Sequence, residues 1–259
     1  MGVVNCTPDS FFASSRTPAA EEAVARALRL AEEGADWLDV GGQSTRPGSE
    51  AVPAEEELRR VLPVIEALAR RTKLPISVDT DKALVAASAR GAGASILNDV
   101  SALRGDPAML REATRFDRVI LMHMQGTPRT MQREPSYDDV VAEVADFLSR
   151  RLEAFSSAGG DASRALVDPG IGFGKTLEHN LSLLKRLEDF AALAPVVLGV
   201  SRKSFLSRIV PDAGPQDRLP GSLAAAVLGA LHGAAVLRVH DVAATRQALE
   251  VCAALEAAS

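Results

Sequence analysis

Residues 164–176 read RALVDPGIGFGKT, and the reading of this stretch decides the fold. An apolar strand pattern ends in an acid, and alternating glycines then lead into Gly-Lys-Thr. A nucleotide-binding P-loop also follows a strand, but it needs a glycine, four residues, then Gly-Lys-Ser/Thr. Counting back from Gly174 puts Pro169 where that first glycine must stand. The P-loop reading fails, and Asp168 becomes the chemical residue, placed at a strand end. The glycines after it let the backbone pass close to a flat ligand with no side chain in the way. Lys175 stands in the loop or helix start, and the pattern does not separate a functional lysine from a solvated one.

The same strand-to-helix unit recurs on both sides. Candidate strands fall at 3–5, 36–40, 75–79, 95–99, 118–123, 164–168, 195–200 and 235–240. They are nearly continuous apolar runs, as in strands covered on both faces or closed into a barrel. Helical patterns fill the gaps. Thr17-Pro18 is a cap-then-proline start, Val24, Ala27, Leu28 and Ala31 follow at helical spacing, and Gly34 can end that helix. Leu58, Val61, Leu62, Ile65 and Leu68 make a second stripe, in which Pro63 predicts a kink or a late start. Val140, Val144, Phe147 and Arg151 mark a long fifth helix, and Val242, Thr245, Leu249 and Cys252 the last. The loop-like stretch 211–220 breaks the seventh unit. Eight such units predict an α/β chain folded as one single-domain (β/α)8 TIM barrel over residues 1–259. A doubly wound open sheet is the competing arrangement, but it gathers its ligand at one switch point. Here the unusual residues are spread over nearly every strand end.

Composition bounds the function classes. The chain has 259 residues, is 47% hydrophobic and 24% charged, and carries a net charge of −5. It is large enough for a sizeable core and lacks the basic balance of a nucleic-acid binder. Its two cysteines, Cys6 and Cys252, do not make a disulfide framework, and Cys252 reads as a buried thiol on the apolar side of its helix. No signal peptide or membrane span is visible. A cytoplasmic enzyme acting on small molecules, without nucleic-acid or membrane partners, is expected.

Each strand ends in a polar residue that a packed core would not choose: Asn5, Asp39, Asp79-Thr80, Asn98-Asp99, His123, Asp168, Ser201 to Ser204, then Arg238 and His240. Any one of these can be a helix cap or a turn residue, and Asp99 reads better as structural than as catalytic. All eight strands showing the pattern points instead to one shared face, where barrel enzymes work. Asp79, Asn98 and Asp168 suit a flat heterocycle with amidine-like N–H groups, since a carboxylate accepts two parallel bonds. Lys203 can donate to a ring oxygen or nitrogen. Arg46, Arg202, Arg238 and His240 suit an anion such as a phosphate or pyrophosphate. Asn5 is an oxygen ligand that, with phosphate oxygens and water, could hold Mg²⁺. The loops CTPDSFFASSRTP and GGQSTRPGSEAVP are long and rich in small polar residues and proline, the composition of mobile active-site lids. His123 reads as a pocket or rim histidine, His179 and His232 as surface or packing residues, and Trp37 as core or helix-facing.

MGVVNCTPDSF, DVGGQSTRPG, SVDT, LNDV, LMHMQGTP, DPGIGFGK, SRKS and RVHDV, taken in order, resemble the motifs of the dihydropteroate synthase family of pterin-binding enzymes. The resemblance runs from the first strand to the eighth. It implies a (β/α)8 barrel, a homodimer and the condensation of 6-hydroxymethyl-dihydropterin pyrophosphate with p-aminobenzoate. It assigns Asp79, Asn98, Asp168 and Lys203 to the pterin, with Val100, Met122, Phe173 and Gly199 shaping the pocket. It assigns Asn5, Arg46, Arg238 and His240 to the pyrophosphate, with Asn5 reaching Mg²⁺. Phe11, Thr45, Pro47, Ser201 and Lys203 would frame p-aminobenzoate, the position sulfonamide drugs imitate. An ionising, SN1-like mechanism follows, with Lys203, Asp79, Asp168 and Arg46 acting on the reacting substrate and no single catalytic base.

Three departures from the family pattern stand out. Ala13 replaces an acid in the first loop, Gln43 stands where glutamate is common, and the chain starts almost on its first strand. Two rivals share parts of the pattern. A pterin-dependent methyltransferase would share Asp79, Asn98 and Asp168 but lack the STRPG, SRKS and RVHDV motifs. An inactive homologue serving as a partner subunit would find support only in Ala13 and Gln43.

Overall fold

The computed structural model describes residues 1–6, 16–46, 48–211, 214 and 216–258. Phe11, Phe12, Ala13 and Pro47 lie outside the described residues. Eight short strands pair in parallel and in chain order: β1 (Gly2–Asn5), β2 (Leu38–Gly41), β3 (Ile76–Asp79), β4 (Ile96–Asp99), β5 (Arg118–Met122), β6 (Ala165–Asp168), β7 (Val196–Leu198) and β8 (Ala234–Leu237). The main chain closes the seam between β8 and β1. Val3 N–H donates to Val239 O, and Val239 N–H to Met1 O, each at 3.0 Å. Every expected strand is present. The last two are shorter than expected, and a register shift between Val196 and Val197 leaves Ala235 unmatched in β8. Arg238 and His240 therefore follow the strand rather than belong to it.

Helices alternate with the strands: α1 (Arg16–Glu32), α2 (Ala54–Arg71), α3 (Ala83–Ala92), α4 (Met109–Ala113), α5 (Val140–Ser157), α6 (Leu177–Lys185), α7 (Leu187–Ala191), α8 (Phe205–Ile209), α9 (Leu219–Leu231) and α10 (Val242–Glu256). The seventh unit is broken into α8 and α9, as the prolines predict. Contrary to expectation, α2 does not start late; it runs unbroken through Pro63. Val61, Val64, Ile65 and Leu68 are buried on its inner face. Burying each is worth about 1.5–3 kcal/mol, which together exceeds the roughly 3 kcal/mol that an interior proline costs. Cys252 is half-buried rather than buried, because α10 packs as the last helix with much of its surface exposed. Cys6 is buried, and burial pushes its thiol up to about 12.

Side chains alternate along a strand. Leu38, Val40, Val78, Leu97, Val119 and Leu121 join the large core between sheet and helices. Ile96, Ile120, Leu166 and Val197, with Trp37 and Val236, fill the barrel interior as a second, smaller cluster around Met1. Two residues further along each of these strands, on the same inward side, stand Asn98, Met122, Asp168, Gly199, Asp39 and Arg238. The interior is thus apolar below and mostly polar above, and the upper layer is where the strands end.

Candidate active site

Three carboxylates and two cations crowd the upper layer. Arg238 follows β8 and crosses the seam to the strands on the other side. Its Nε donates to Asp39 Oδ2 at 2.7 Å, and its Nη2 lies 2.6 Å from the same oxygen and 2.8 Å from Asp79 Oδ2. Asn98 Nδ2 donates to Asp39 Oδ2 at 3.3 Å. Burial alone would lower the Arg238 pKa, but Asp39 and Asp79 outweigh it and hold the guanidinium above its ordinary value. Asp79 is pushed up by burial, and Arg238 offsets only part of that.

Asp168 is 5% exposed at the end of β6. Its Oδ1 accepts from Gly170 N–H at 2.7 Å, which leaves Oδ2 without a hydrogen-bond partner among the described residues. Burial raises its pKa, and Lys203 and the Gly170 bond work against that. Lys203 Nζ donates to the Ile171 carbonyl and stands 4.8 Å from the centroid of the Phe173 ring. Burial lowers its pKa to about 8, with Asp168 opposing the shift. A Cβ added at Gly199 would sit 3.6 Å from Lys203 Nζ and 4.0 Å from Arg238 Cβ, so Gly199 is the space between the two cations. Val100 and Met122 cluster with Met124 and Met131, and Phe173 packs on them as an apolar wall. All the residues expected to meet a flat ring thus surround one cup.

The glycine loop is shaped by contact. Gly170 and Gly174 have φ of 69° and 63°, in the left-handed region. A Cβ at Gly170 would collide with the His123 carbonyl, and one at Gly174 would lie 2.7 Å from the Gln125 carbonyl. These glycines therefore seat their loop on the segment after β5. Lys175 is not solvated. It is 2% exposed, with Nζ 2.9 Å from His123 Nδ1 and 3.0 Å from the Phe173 carbonyl oxygen. Burial lowers its pKa to about 7. His123 is a buried pocket residue, and burial beside Lys175 lowers its pKa to about 2.

On the anion side, His240 Nδ1 lies 3.1 Å from Ser201 Oγ, and its N–H donates to the same oxygen at 3.2 Å. Burial, reinforced by Arg238, lowers the imidazole to about 4, so it is neutral at pH 7. Asn5 ends β1 half-buried, Thr45 is half-buried, and Arg46 is exposed on the second loop. That loop meets the one after β5, where Gly48 N–H donates to Pro128 O at 3.0 Å. Arg202, expected among the anion-binding cations, is instead tied to Asp241 by two bonds of 2.8 and 2.6 Å. Asp99 is structural: its carboxylate accepts from the Ser101 and Leu103 amides at 2.6 and 3.0 Å. His179 caps α6 with Thr176, and His232 lies 3.2 Å from Glu188 on the surface. Gln43 binds Lys82 Nζ at 2.8 Å and the Val52 amide at 2.9 Å, beside the 2.6 Å Lys82–Glu57 pair. Its effect is to anchor the second loop.

Sequence reasoning reads Asp39 only as a strand end and leaves Lys175 open, yet both are buried at the site. Strand parity is the signal for Asp39, since it lies two residues after the inward-facing Trp37. No local pattern marks Lys175, whose burial depends on the loop folding back over the end of β5.

A barrel of eight parallel strands with carboxylates, lysine and arginine at their C-terminal ends defines a small-molecule enzyme of the TIM-barrel type. The family model described as "Pterin binding enzyme" matches residues 1–240. Dihydropteroate synthase from Escherichia coli K12 is 46% identical over 252 residues, covering 97% of this chain and 89% of that protein. A Xanthomonas albilineans dihydropteroate synthase, solved with 4-aminobenzoic acid, superposes with a TM-score of 0.93 at 51% identity, covering 100% of this chain and 93% of that one. The same organism's enzyme in complex with 7,8-dihydropteroate gives a TM-score of 0.90 at 49% identity, covering 100% and 94%. The chain belongs to the dihydropteroate synthase family of pterin-binding enzymes.

Proposed function

We propose that this protein condenses 6-hydroxymethyl-7,8-dihydropterin pyrophosphate with p-aminobenzoate to give 7,8-dihydropteroate and pyrophosphate. The observation that carries the reading is the single cup in which Asp79, Asn98, Asp168, Lys203 and Arg238 meet, in a chain with this family membership. Asp168 Oδ2 is placed to accept N–H groups of a flat heterocycle, while Asn98 keeps its amide oxygen and Lys203 a donor for ring atoms. The Val100, Met122 and Phe173 wall covers the ring face.

In this mechanism the pterin methylene–oxygen bond breaks before the amine attacks, and the electron pair leaves with the pyrophosphate. Arg238, Arg46 and neutral His240 stabilise the leaving group as its charge grows. Ring delocalisation and the carboxylates around it stabilise the carbon cation. The arylamine nitrogen then attacks that carbon and afterwards releases its proton to solvent. Ser201, Thr45 and Lys203 frame the p-aminobenzoate, and enclosure of the site keeps out water that would capture the cation.

The donor set fits a magnesium ion that arrives with the pyrophosphate. No group of three His, Cys, Asp or Glu is poised for a metal among the described residues. Asn5 offers one oxygen, which suits an ion that keeps its waters and phosphate oxygens. Such an ion would neutralise charge on the leaving group.

We also assign a homodimer. α9 is apolar but for the buried Ser222, and Leu228 and Leu231 on it are 56% and 48% exposed. With Leu181, Ile209 and Val210, Leu228 borders a groove of about 590 Å³ between α6, α8 and α9. A second copy of the same helix would cover this patch. No described helix is long and apolar enough to cross a membrane, and Cys6 and Cys252 are free thiols; we place the enzyme in the cytoplasm.

The deciding experiment is steady-state pyrophosphate release. Release that requires both the pterin pyrophosphate and p-aminobenzoate is expected. Its absence with pure protein and Mg²⁺ would sink the assignment.

A further inference from the structure

Four consecutive carbonyls of the glycine loop each accept a hydrogen bond from a different side chain. Ile171 O accepts from Lys203 Nζ, Gly172 O from Gln132 Nε2 at 2.7 Å, Phe173 O from Lys175 Nζ at 3.0 Å, and Gly174 O from Tyr137 Oη at 2.8 Å. On the donor side, Gly172 N–H is held by Asn180 Oδ1 at 2.6 Å. A segment of alternating left-handed glycines cannot satisfy its own carbonyls in a helix or ladder, so side chains do it. Gln132 and Tyr137 come from the loop after β5, Lys203 from the loop after β7 and Lys175 from the stretch itself.

Lys175 is the costliest of the four. An ammonium buried this deeply is destabilising unless its protons are matched. Two of them are, by the Phe173 carbonyl and by His123 Nδ1. When Lys175 carries its charge it only donates, so Nδ1 then accepts and the ring proton sits on Nε2. Phe147 packs edge-on against the imidazole at 4.8 Å between centroids. Phe173 is therefore held twice, by Lys175 at its carbonyl and by Lys203 over its ring.

We propose that Lys175, seated on His123, is a positioning residue for the pterin pocket: it fixes the Phe173 carbonyl and so sets the ring against which Lys203 is aimed. Neither Lys175 nor His123 touches substrate in this arrangement. The role rests on the function proposed above, because it assigns a purpose to the pocket that Phe173 and Lys203 line.

The test compares His123→Leu, His123→Asn and Lys175→Met with the unaltered protein. It measures thermal melting, 7,8-dihydropteroate binding by calorimetry and KM for each substrate. His123→Leu removes the acceptor; His123→Asn returns an amide oxygen close to the position of Nδ1. Losing one charge-assisted bond is expected to weaken product binding and raise KM for the pterin substrate by about tenfold in His123→Leu and Lys175→Met. The p-aminobenzoate KM should move by no more than about twofold, and His123→Asn should recover most of the loss. If His123→Leu does not fold, Lys175→Met, of similar length and uncharged, carries the comparison. Folded variants that match the unaltered protein, or a His123→Asn no better than His123→Leu, would overturn the role alone. Failure of the unaltered protein to bind the product would overturn the function and this role together.

Discussion

One step down the barrel from Asp168 lies Leu166. The same step separates Arg238 from Val236, Asn98 from Ile96 and Met122 from Ile120. The lower members are close-packed hydrocarbon around Met1 and Trp37. Apart from Met122 the upper members are polar or charged, and Asn98 and Arg238 both bond to Asp39. Both layers hang from the same strands and point the same way, so strand geometry does not distinguish them. What differs is what each layer does with burial. Below, burial is favourable in itself and stabilises the fold. Above, burial opposes every charge and opposite charges nearby offset it: fully for Arg238, whose pKa is raised, and only in part for Asp79, Asp168, Lys175 and Lys203.

Substitutions should therefore separate cleanly between layers. Asp168→Asn keeps the shape and removes the charge that accepts ring N–H groups; we expect turnover to fall at least about a hundredfold with an unchanged melting temperature. A fold that collapses would return Asp168 to a structural role. Ile120→Ala, one layer beneath, should lose about 2–5 kcal/mol of stability while folded enzyme keeps its KM values; a selective loss of substrate binding would break the distinction. pH sharpens it further. Lys203 has its pKa lowered, so it loses its charge early on the alkaline side, and kcat/KM for the pterin substrate should fall as pH rises through about 8. Lys203→Arg keeps a cation facing Asp168 and Arg238 and should move that limb out of the measurable range; a limb that stays in place would assign the titration to another group. The smallest effect belongs to Gln43→Glu. Lys82 already has Glu57 and Asp81 as partners, so a third carboxylate should change kcat/KM by less than about threefold.

The barrel was legible because its evidence is local and repeated: short apolar runs, polar tips, a helix after each. Asp168, Asn98 and Lys203 were legible for the same reason. What escaped depends on partners far away in sequence. Asp39 becomes a site residue only because Arg238 reaches it across a separation of 199 residues. Arg202 looks like a free cation until Asp241, 39 residues on, claims it. Lys175 is buried by glycines whose effect lies in what they pack against. Pro63 misled because a local penalty was outweighed by the buried face of its own helix.

The contact between Arg238 and the β2 and β3 carboxylates has a consequence beyond chemistry. Few backbone bonds join the first strand to the last, and this guanidinium braces the cylinder where it was rolled shut. An anion that draws Arg238 away would slacken that brace, and one that lets it stay would tighten it. The Val3 and Val239 amides, whose deuterium uptake reports opening at the joint, thus become a gauge of occupancy that needs no turnover.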